Sequence, residues 1–155
     1  MKKLRMARLG LLLSLAGLSV SLHAQSSPGK QIELDHSTVF VRDIQKSGEF
    51  YEKVLGLERI PDPFKDGRHI WFRTGPHSQL HVVGGATETT PLNIEVHLAF
   101  RVASVPDFTA HLDQMHVPYR NLKGDGKTSV RADGVHQIYF QDPDGYWIEV
   151  NDDRF

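Results

Sequence analysis

The chain has 155 residues, of which 39% are hydrophobic and 24% are charged, a balance typical of one globular domain with its own core. It contains no cysteine, which excludes disulfides, a thiolate nucleophile and zinc–thiolate centres. Its formal net charge of −1 at pH 7 gives no basic surface of the kind that nucleic-acid binding requires.

The first 24 residues have the layout of a secretory signal peptide. A positive start precedes an apolar run over 9–22, which is too short and too rich in Ser and Gly to span a bilayer comfortably. Ala24 is the predicted last residue of the leader, and 25–31 form a polar linker. We therefore expect a periplasmic or secreted protein; an uncleaved N-terminal anchor is the alternative.

Removal of the leader changes the charge of the protein. The leader carries four basic residues and no acidic one, so the mature chain has a net charge of −5. A mildly acidic surface argues against nucleic acid and anionic membranes as partners. We expect a small-molecule substrate instead.

The first half of the mature chain predicts one helix and four strands. Alternating β-branched residues over 33–41 indicate a strand, and Asp43 can cap the helix that follows. Gly56 is a natural stop for that helix. Three more strands are predicted at 57–60, 69–73 and 79–83, giving the order βαβββ.

The second half repeats this order. A strand is predicted over 94–101, and Ser104 with Pro106 marks the start of a helix. A short strand over 118–122 and a polar loop over 123–133 follow. The last strands, 135–141 and 146–150, are joined by a turn at 142–145, whose composition favours a turn over a calcium site.

The two halves can be aligned as an internal repeat. His36 aligns with His97 and His81 aligns with Glu149, and both helices fall in register. Each half alone has one small apolar face, and pairing the halves buries both. We therefore predict an α+β domain over 32–153, built from βαβββ modules at 32–85 and 92–153.

The repeat superposes two pairs of potential metal ligands. A single histidine is more often a hydrogen-bonded structural residue than a ligand. Glu149 lies in an apolar strand, where an unpaired carboxylate is costly and needs a cation. Equivalent positions on stiff strands favour one divalent metal held by His36, His81, His97 and Glu149, a donor set that suits Zn, Ni, Fe or Mn.

Four segments resemble the vicinal oxygen chelate superfamily, whose members include glyoxalase I, fosfomycin-resistance thiol transferases, extradiol dioxygenases and bleomycin-binding proteins. Residues 35–43 (DHSTVFVRD) and 50–57 (FYEKVLGL) resemble the start of its first module. Residues 97–102 (HLAFRV) resemble the opening of the second. Residues 140–150 (FQDPDGYWIEV) are similar to its closing strand, most closely to that of glyoxalase I (lactoylglutathione lyase).

The resemblance implies a curved, cup-like mixed sheet around one metal ion. It carries the ligand roles onto the four residues of the repeat. It also implies that a substrate chelates the metal through oxygen, and that the metal stabilises an enediolate or oxyanion. The function expected is that of a metal-dependent lyase or isomerase of the glyoxalase type.

The chain departs from the pattern of glyoxalase I at one ligand. The fourth-strand ligand there is typically a glutamate that also transfers protons, and here it is His81. His81 and Glu149 are the candidate catalytic residues. Because a metal-bound imidazole is a poorer base than a carboxylate, Glu149 is the expected proton shuttle. The alternatives are a non-catalytic binding or resistance protein and an Fe(II)-dependent dioxygenase.

Three further residues are candidates for substrate binding. Thr38 shares a strand face with His36, and Arg101 and His136 could reach the cup, although packing is an alternative for each. A homodimer is expected. Relatives in this family pair their modules either within one chain or between two chains. In the swapped case, each site would take the ligand pair of module one from one chain and that of module two from the other.

Overall fold

The computed structural model describes residues 32–88 and 91–154, so the predicted leader and the predicted linker lie outside the described residues. Neither described helix is long and apolar enough to cross a membrane. The elements follow the predicted order, βαβββ twice, with these bounds: β1 His36–Val41, α1 Ile44–Lys53, β2 Glu58–Ile60, β3 His69–Arg73, β4 Gln79–Gly84, β5 His97–Arg101, α2 Val105–Gln114, β6 Ser129–Val130, β7 His136–Gln141 and β8 Trp147–Asn151.

The strands form two four-stranded mixed sheets with the same topology. Their orders are β1-β4-β3-β2 and β5-β8-β7-β6. In each sheet the first strand pairs in parallel with the fourth strand of its module, and the other pairings are antiparallel. The predicted two-module α+β fold is therefore confirmed, and it leaves β1 and β5 as edge strands.

The helices begin where the sequence predicts. The Asp43 carboxylate accepts hydrogen bonds from the backbone N–H groups of Gln45 and Lys46, and Ser104 caps α2 with a proline in the first turn. These caps satisfy N–H groups that have no partner within the helix. Gly56 has a φ of +69°, the left-handed conformation that ends the segment after α1.

The prediction was wrong between α2 and β7. The expected strand at 118–122 is a single bridge between Arg120 and Tyr139, and β6 lies inside the segment expected to be a loop. The reason is the side chain of Asn121, whose Oδ1 accepts the N–H of Gly124 and whose Nδ2 donates to Asp125. Such local bonds replace a strand ladder by a turn.

One face of each sheet packs into a shared core. Strand alternation turns residues such as Val39, Leu80, Ile138 and Ile148 inward, all at 1% exposure or less. The opposite face of each sheet, called the cup face here, carries the alternate residues: His36, Thr38, Trp71 and His81 in module one, and His97, Arg101, Tyr139, Trp147 and Glu149 in module two.

The turn between β7 and β8 joins module two to module one. Tyr51 on α1 donates its hydroxyl hydrogen to Asp142 at 2.8 Å, and Ser47 donates to Asp144 at 3.1 Å. Phe50 packs against Phe140 beside this contact, with ring centroids 6.2 Å apart. The two aspartates are buried, so their carboxylates depend on these donors.

Candidate metal centre

The first ligand pair lies on the adjacent parallel strands β1 and β4. The backbone register places Thr38 opposite His81, and the rings of His36 and His81 stack with centroids 4.3 Å apart. Trp71 stacks on the other face of His81 at 3.9 Å, so the imidazole is held between two rings. Burial, followed by the nearby His36, lowers the pKa of His81 and favours the neutral form that a metal requires.

The hydrogen bond of His36 leaves one ring nitrogen available. Its Nδ1 lies 2.6 Å from a carboxylate oxygen of Asp35, which assigns the proton to Nδ1 and leaves the lone pair on Nε2. The Nε2 of His81 lies 2.9 Å from Oε1 of Gln79, which leaves its Nδ1 lone pair. A carboxylate or amide oxygen behind the imidazole is the usual support of a metal-binding histidine.

The second pair lies on β5 and β8. The Nε2 of His97 is 3.2 Å from Oε2 of Glu149, and its Nδ1 is 2.8 Å from the carbonyl oxygen of Ile94. The backbone carbonyl accepts the Nδ1 proton, which directs the Nε2 lone pair of His97 to the side where the carboxylate lies. Module two therefore presents one nitrogen and one oxygen ligand together.

Two residues that the sequence reasoning missed hold the carboxylate of Glu149. Tyr139 donates its hydroxyl hydrogen to Oε2 at 2.5 Å, and Asn151 Nδ2 donates to Oε1 at 2.7 Å. Burial and the bond to Glu149 raise the pKa of Tyr139, so the phenol remains a donor. The sequence did contain a signal, because the turn at 142–145 fixes a hairpin register in which Tyr139 faces Glu149.

The two pairs do not form one cluster within the chain. Among residues 32–88 and 91–154, the group of three or more ligand atoms that lie within 4.8 Å of one another is Asp62, Asp66 and His69, in the turn before β3 and at its first residue. The carboxylates of Asp62 and Asp66 already accept hydrogen bonds from backbone N–H groups of the turn. These turn bonds explain why the two side chains lie close together. The four predicted ligands are instead two separate pairs, one on each cup face.

The candidate substrate-binding residues differ in placement. Thr38 is exposed on the cup face of β1, beside His81 in the register. Arg101 lies on the cup face of β5 and lines a groove of about 550 Å³ that Ser37 and His97 also line. His136 shares a strand face with Ile138 and binds Asp152 through Nδ1 at 3.0 Å, so the structure does not bring it to the cup face.

Comparisons with known proteins identify the family of the chain. A sequence profile of the Glyoxalase/Bleomycin resistance protein/Dioxygenase superfamily matches residues 33–150. The chain is 26% identical over 161 aligned positions to a lactoylglutathione lyase of Pseudomonas putida, with 82% of this chain and 89% of that protein covered. It is 27% identical over 122 positions to the uncharacterized protein YwbC of Bacillus subtilis, covering 75% and 94%.

Solved structures show the same fold. A glyoxalase/dioxygenase from Nostoc punctiforme superposes with a TM-score of 0.67 at 24% identity, covering 87% of this chain and 100% of that one. A fosfomycin resistance protein from Listeria monocytogenes superposes with a TM-score of 0.61 at 22% identity, covering 81% and 96%. With two βαβββ modules and a profile match across both, the chain belongs to the Glyoxalase/Bleomycin resistance protein/Dioxygenase superfamily.

Proposed function

We propose that this protein is a metal-dependent enzyme of the glyoxalase type, a lyase or isomerase that acts on a small substrate chelating the metal through oxygen. The observation that carries the proposal is the support behind His36 and His97. In both residues Nδ1 lies within hydrogen-bond distance of an oxygen acceptor, so that Nε2 is available as a ligand. His69 and His136 make comparable Nδ1 contacts, so the second part of the observation is that His36 and His97 each lie beside another candidate ligand, His81 and Glu149 respectively.

The donor set fits a divalent ion of the first transition row. Three neutral imidazoles and one carboxylate would leave such an ion with a net charge near +1. The bound metal would polarise a substrate oxygen and stabilise negative charge on it. In this proposal His81 is a neutral ligand, and Glu149 serves both as a ligand and as the group that transfers a substrate proton.

We further propose a homodimer in which each site combines His36 and His81 of one chain with His97 and Glu149 of the other. The separation of the two pairs within one chain supports this arrangement. Edge strand β1 also carries Phe40, a large apolar side chain that is 47% exposed on the cup face. Covering such a face is what a second copy would do.

Metal content is the direct test of the site. Mature protein beginning after Ala24, purified without a chelator or a histidine tag, should contain about one metal ion per chain. The His97→Ala/Glu149→Ala variant should lose it, whereas His136→Ala, a control on the other strand face, should retain it. Absence of metal from the wild type after reconstitution with zinc, nickel, iron and manganese would overturn the proposal.

The metal found then selects the assay. Zinc or nickel leads to lyase and isomerase screens with 2-oxoaldehyde adducts, and the expected result is turnover that the double variant lacks. Iron that supports oxygen uptake with catechols would instead replace the lyase proposal by a dioxygenase. A loaded metal with ligand binding but no turnover would identify a binding protein.

We also propose that the protein is exported. The support is the basic start and apolar run of the first 24 residues. Cell fractionation followed by N-terminal sequencing should find a chain that begins at Gln25 outside the cytoplasm. A full-length chain in the cytoplasmic fraction would contradict export without affecting the metal proposal.

A further inference from the structure

Arg120 is a half-buried cation without an acidic partner among the residues that the structure describes. Its guanidinium carbon lies 4.7 Å from the ring centroid of Trp147. Nη1 donates to the carbonyl oxygens of Asn121 and Leu122, at 3.3 and 3.1 Å. Withdrawing a charge from water is costly unless an opposite charge compensates it, so this arrangement requires an explanation.

The backbone places Arg120 on the cup face of module two. Arg120 lies directly opposite Tyr139, and Tyr139 lies directly opposite Glu149. Residues directly opposite in a sheet share a face, and neighbouring strands are about 4.8 Å apart. The backbone positions of Arg120 and Glu149 are therefore separated by roughly 10 Å, the length of a small molecule.

The guanidinium is held firmly in this place. The indole beneath it is itself fixed, because Nε1 of Trp147 donates to the carbonyl oxygen of Leu92 at 3.0 Å. The loop that contains Gly124 packs against the guanidinium of Arg120. The φ of Gly124 is +78°, and an added Cβ would lie 2.8 Å from Nη1 of Arg120, so the loop leaves no room for a side chain there. A fixed donor loses less entropy when it binds an anion than a mobile one does.

Other arginines of the described chain show the contrast. Several have a carboxylate within 3.1 Å: Arg42, Arg59, Arg73 and Arg131. Arg120 uses one nitrogen on two carbonyls, and its Nε and Nη2 have no protein acceptor among the described residues. Nε and Nη2 form the edge of a guanidinium that binds a carboxylate through two parallel hydrogen bonds.

We propose that Arg120, supported by Trp147, binds a carboxylate at one end of the substrate while the other end chelates the metal beside His97 and Glu149. The inference rests on the proposed function and adds a substrate class to it: small oxygen chelators that carry a remote carboxylate. Trp147 lies between the two ends, because it pairs with His97 in the sheet and contacts the guanidinium.

A matched set of chelators tests the proposal. The monohydroxamates of succinic, glutaric and adipic acid chelate zinc through two oxygens and carry a remote carboxylate, which their methyl esters lack. Their affinities for the zinc-loaded full protein would be measured by calorimetry. For at least one chain length we expect the acid to bind about tenfold more tightly than its ester, as for a charge-assisted bidentate pair.

Substitution of the arginine should abolish this preference. Arg120→Gln keeps donors for the loop carbonyls but removes the charge, so acid and ester should then bind alike; Arg120→Lys should retain part of the preference. Arg59→Met is the matched control, because it removes a cation on β2 that pairs with Glu52 of α1. It should leave the preference for the acid over the ester unchanged. Zinc content and the melting temperature of each variant separate loss of the carboxylate contact from loss of the fold.

The outcomes distinguish the two proposals. Zinc binding with the same acid preference in wild type and Arg120→Gln, or with no preference at any chain length, would overturn the role of Arg120 alone. A wild-type protein that cannot be loaded with zinc or any other divalent metal would overturn the proposed function, and the inference with it.

Discussion

The carboxylate of Asp144, in module two, accepts hydrogen bonds from both the backbone N–H and the Nε–H of Arg42, in module one, at 3.1 and 3.0 Å. Its second oxygen accepts from Ser47 at the start of α1. One side chain therefore connects the last hairpin of the chain to the end of β1 and to a helix. These bonds fix how the second module sits on the first.

Replacing Asp144 should weaken the contact between the modules. In Asp144→Asn the charge is lost and Arg42 faces a neutral amide, so the free energy of unfolding should fall by about 1–2 kcal/mol, since Arg42 is half exposed and its ion pair is partly screened. Urea unfolding measures the change. Asp133→Asn, which alters an exposed ion pair with Arg131, should cost less; an equal cost for both would contradict a special role for Asp144.

The two buried aspartates should give opposite pH dependences. Burial favours a higher pKa for Asp144, but the bonds from Arg42 and Ser47 outweigh it and lower the pKa below 3.8. Its stabilising contribution is therefore complete above that value and is lost as the pH falls through the lowered pKa. Burial raises the pKa of Asp142, so ionisation of this group costs stability as the pH rises past 3.8.

Variants separate these two contributions. Asp144→Asn should flatten the acid side of a plot of unfolding free energy against pH. Asp142→Asn should leave the profile below pH 3.8 unchanged. At neutral pH it should cost less unfolding free energy than Asp144→Asn does, because it removes a buried charge that is itself costly there. Chemical denaturation between pH 3 and pH 7 provides the measurement, and identical profiles for the two variants would refute the assignment of opposite pKa directions.

Mixed dimers test whether chains share their sites. If each site takes its pairs from two chains, a dimer of one His36→Ala chain and one Glu149→Ala chain contains one intact site and one doubly damaged site. Co-expressed chains carrying different affinity tags should then bind about one metal ion per mixed dimer, whereas either variant alone binds none. If all four ligands came from one chain, the mixed dimer would also bind none.

Tyr139 should tighten metal binding without contacting the ion. Tyr139→Phe removes the hydroxyl that holds Oε2 of Glu149, and we expect the affinity for metal to fall about tenfold because the ligand is less well oriented. Calorimetric titration of the metal-free protein measures this change. Tyr119→Phe is the control, since that hydroxyl contacts Asp113 at the surface at 3.4 Å; an equal loss in both variants would argue against orientation of Glu149.

The internal repeat predicted that the four candidate ligands lie in strands at equivalent positions, and the structure places His81 and Glu149 on the cup faces of β4 and β8. It could not place the two ligand pairs relative to each other, since that depends on how the modules pack. Contacts between side chains distant in sequence, such as Arg42 with Asp144, leave no periodic signal.

The sequence pattern also did not predict which residues support the metal ligands. Asp35 lies next to His36 in the sequence, yet a neighbouring acid is common and does not by itself indicate a hydrogen bond to the ring. Arg120 was assigned to a strand that the structure lacks, because Asn121 forms a turn where the composition favours extended backbone. Its place beside Trp147 follows from that turn.

The hydroxyl of Tyr146 donates to the carbonyl oxygen of Phe40 and accepts the N–H of the same residue, at 3.1 and 3.0 Å. Both outward backbone groups at this point of β1 are thereby occupied, while alternation turns the corresponding groups of His36 and Thr38 outward as well. A strand from another molecule could add to this edge only over its first half. Tyr146 therefore blocks the pairing of a further strand along the second half of this edge, while the half that carries His36 and Thr38 remains available for pairing.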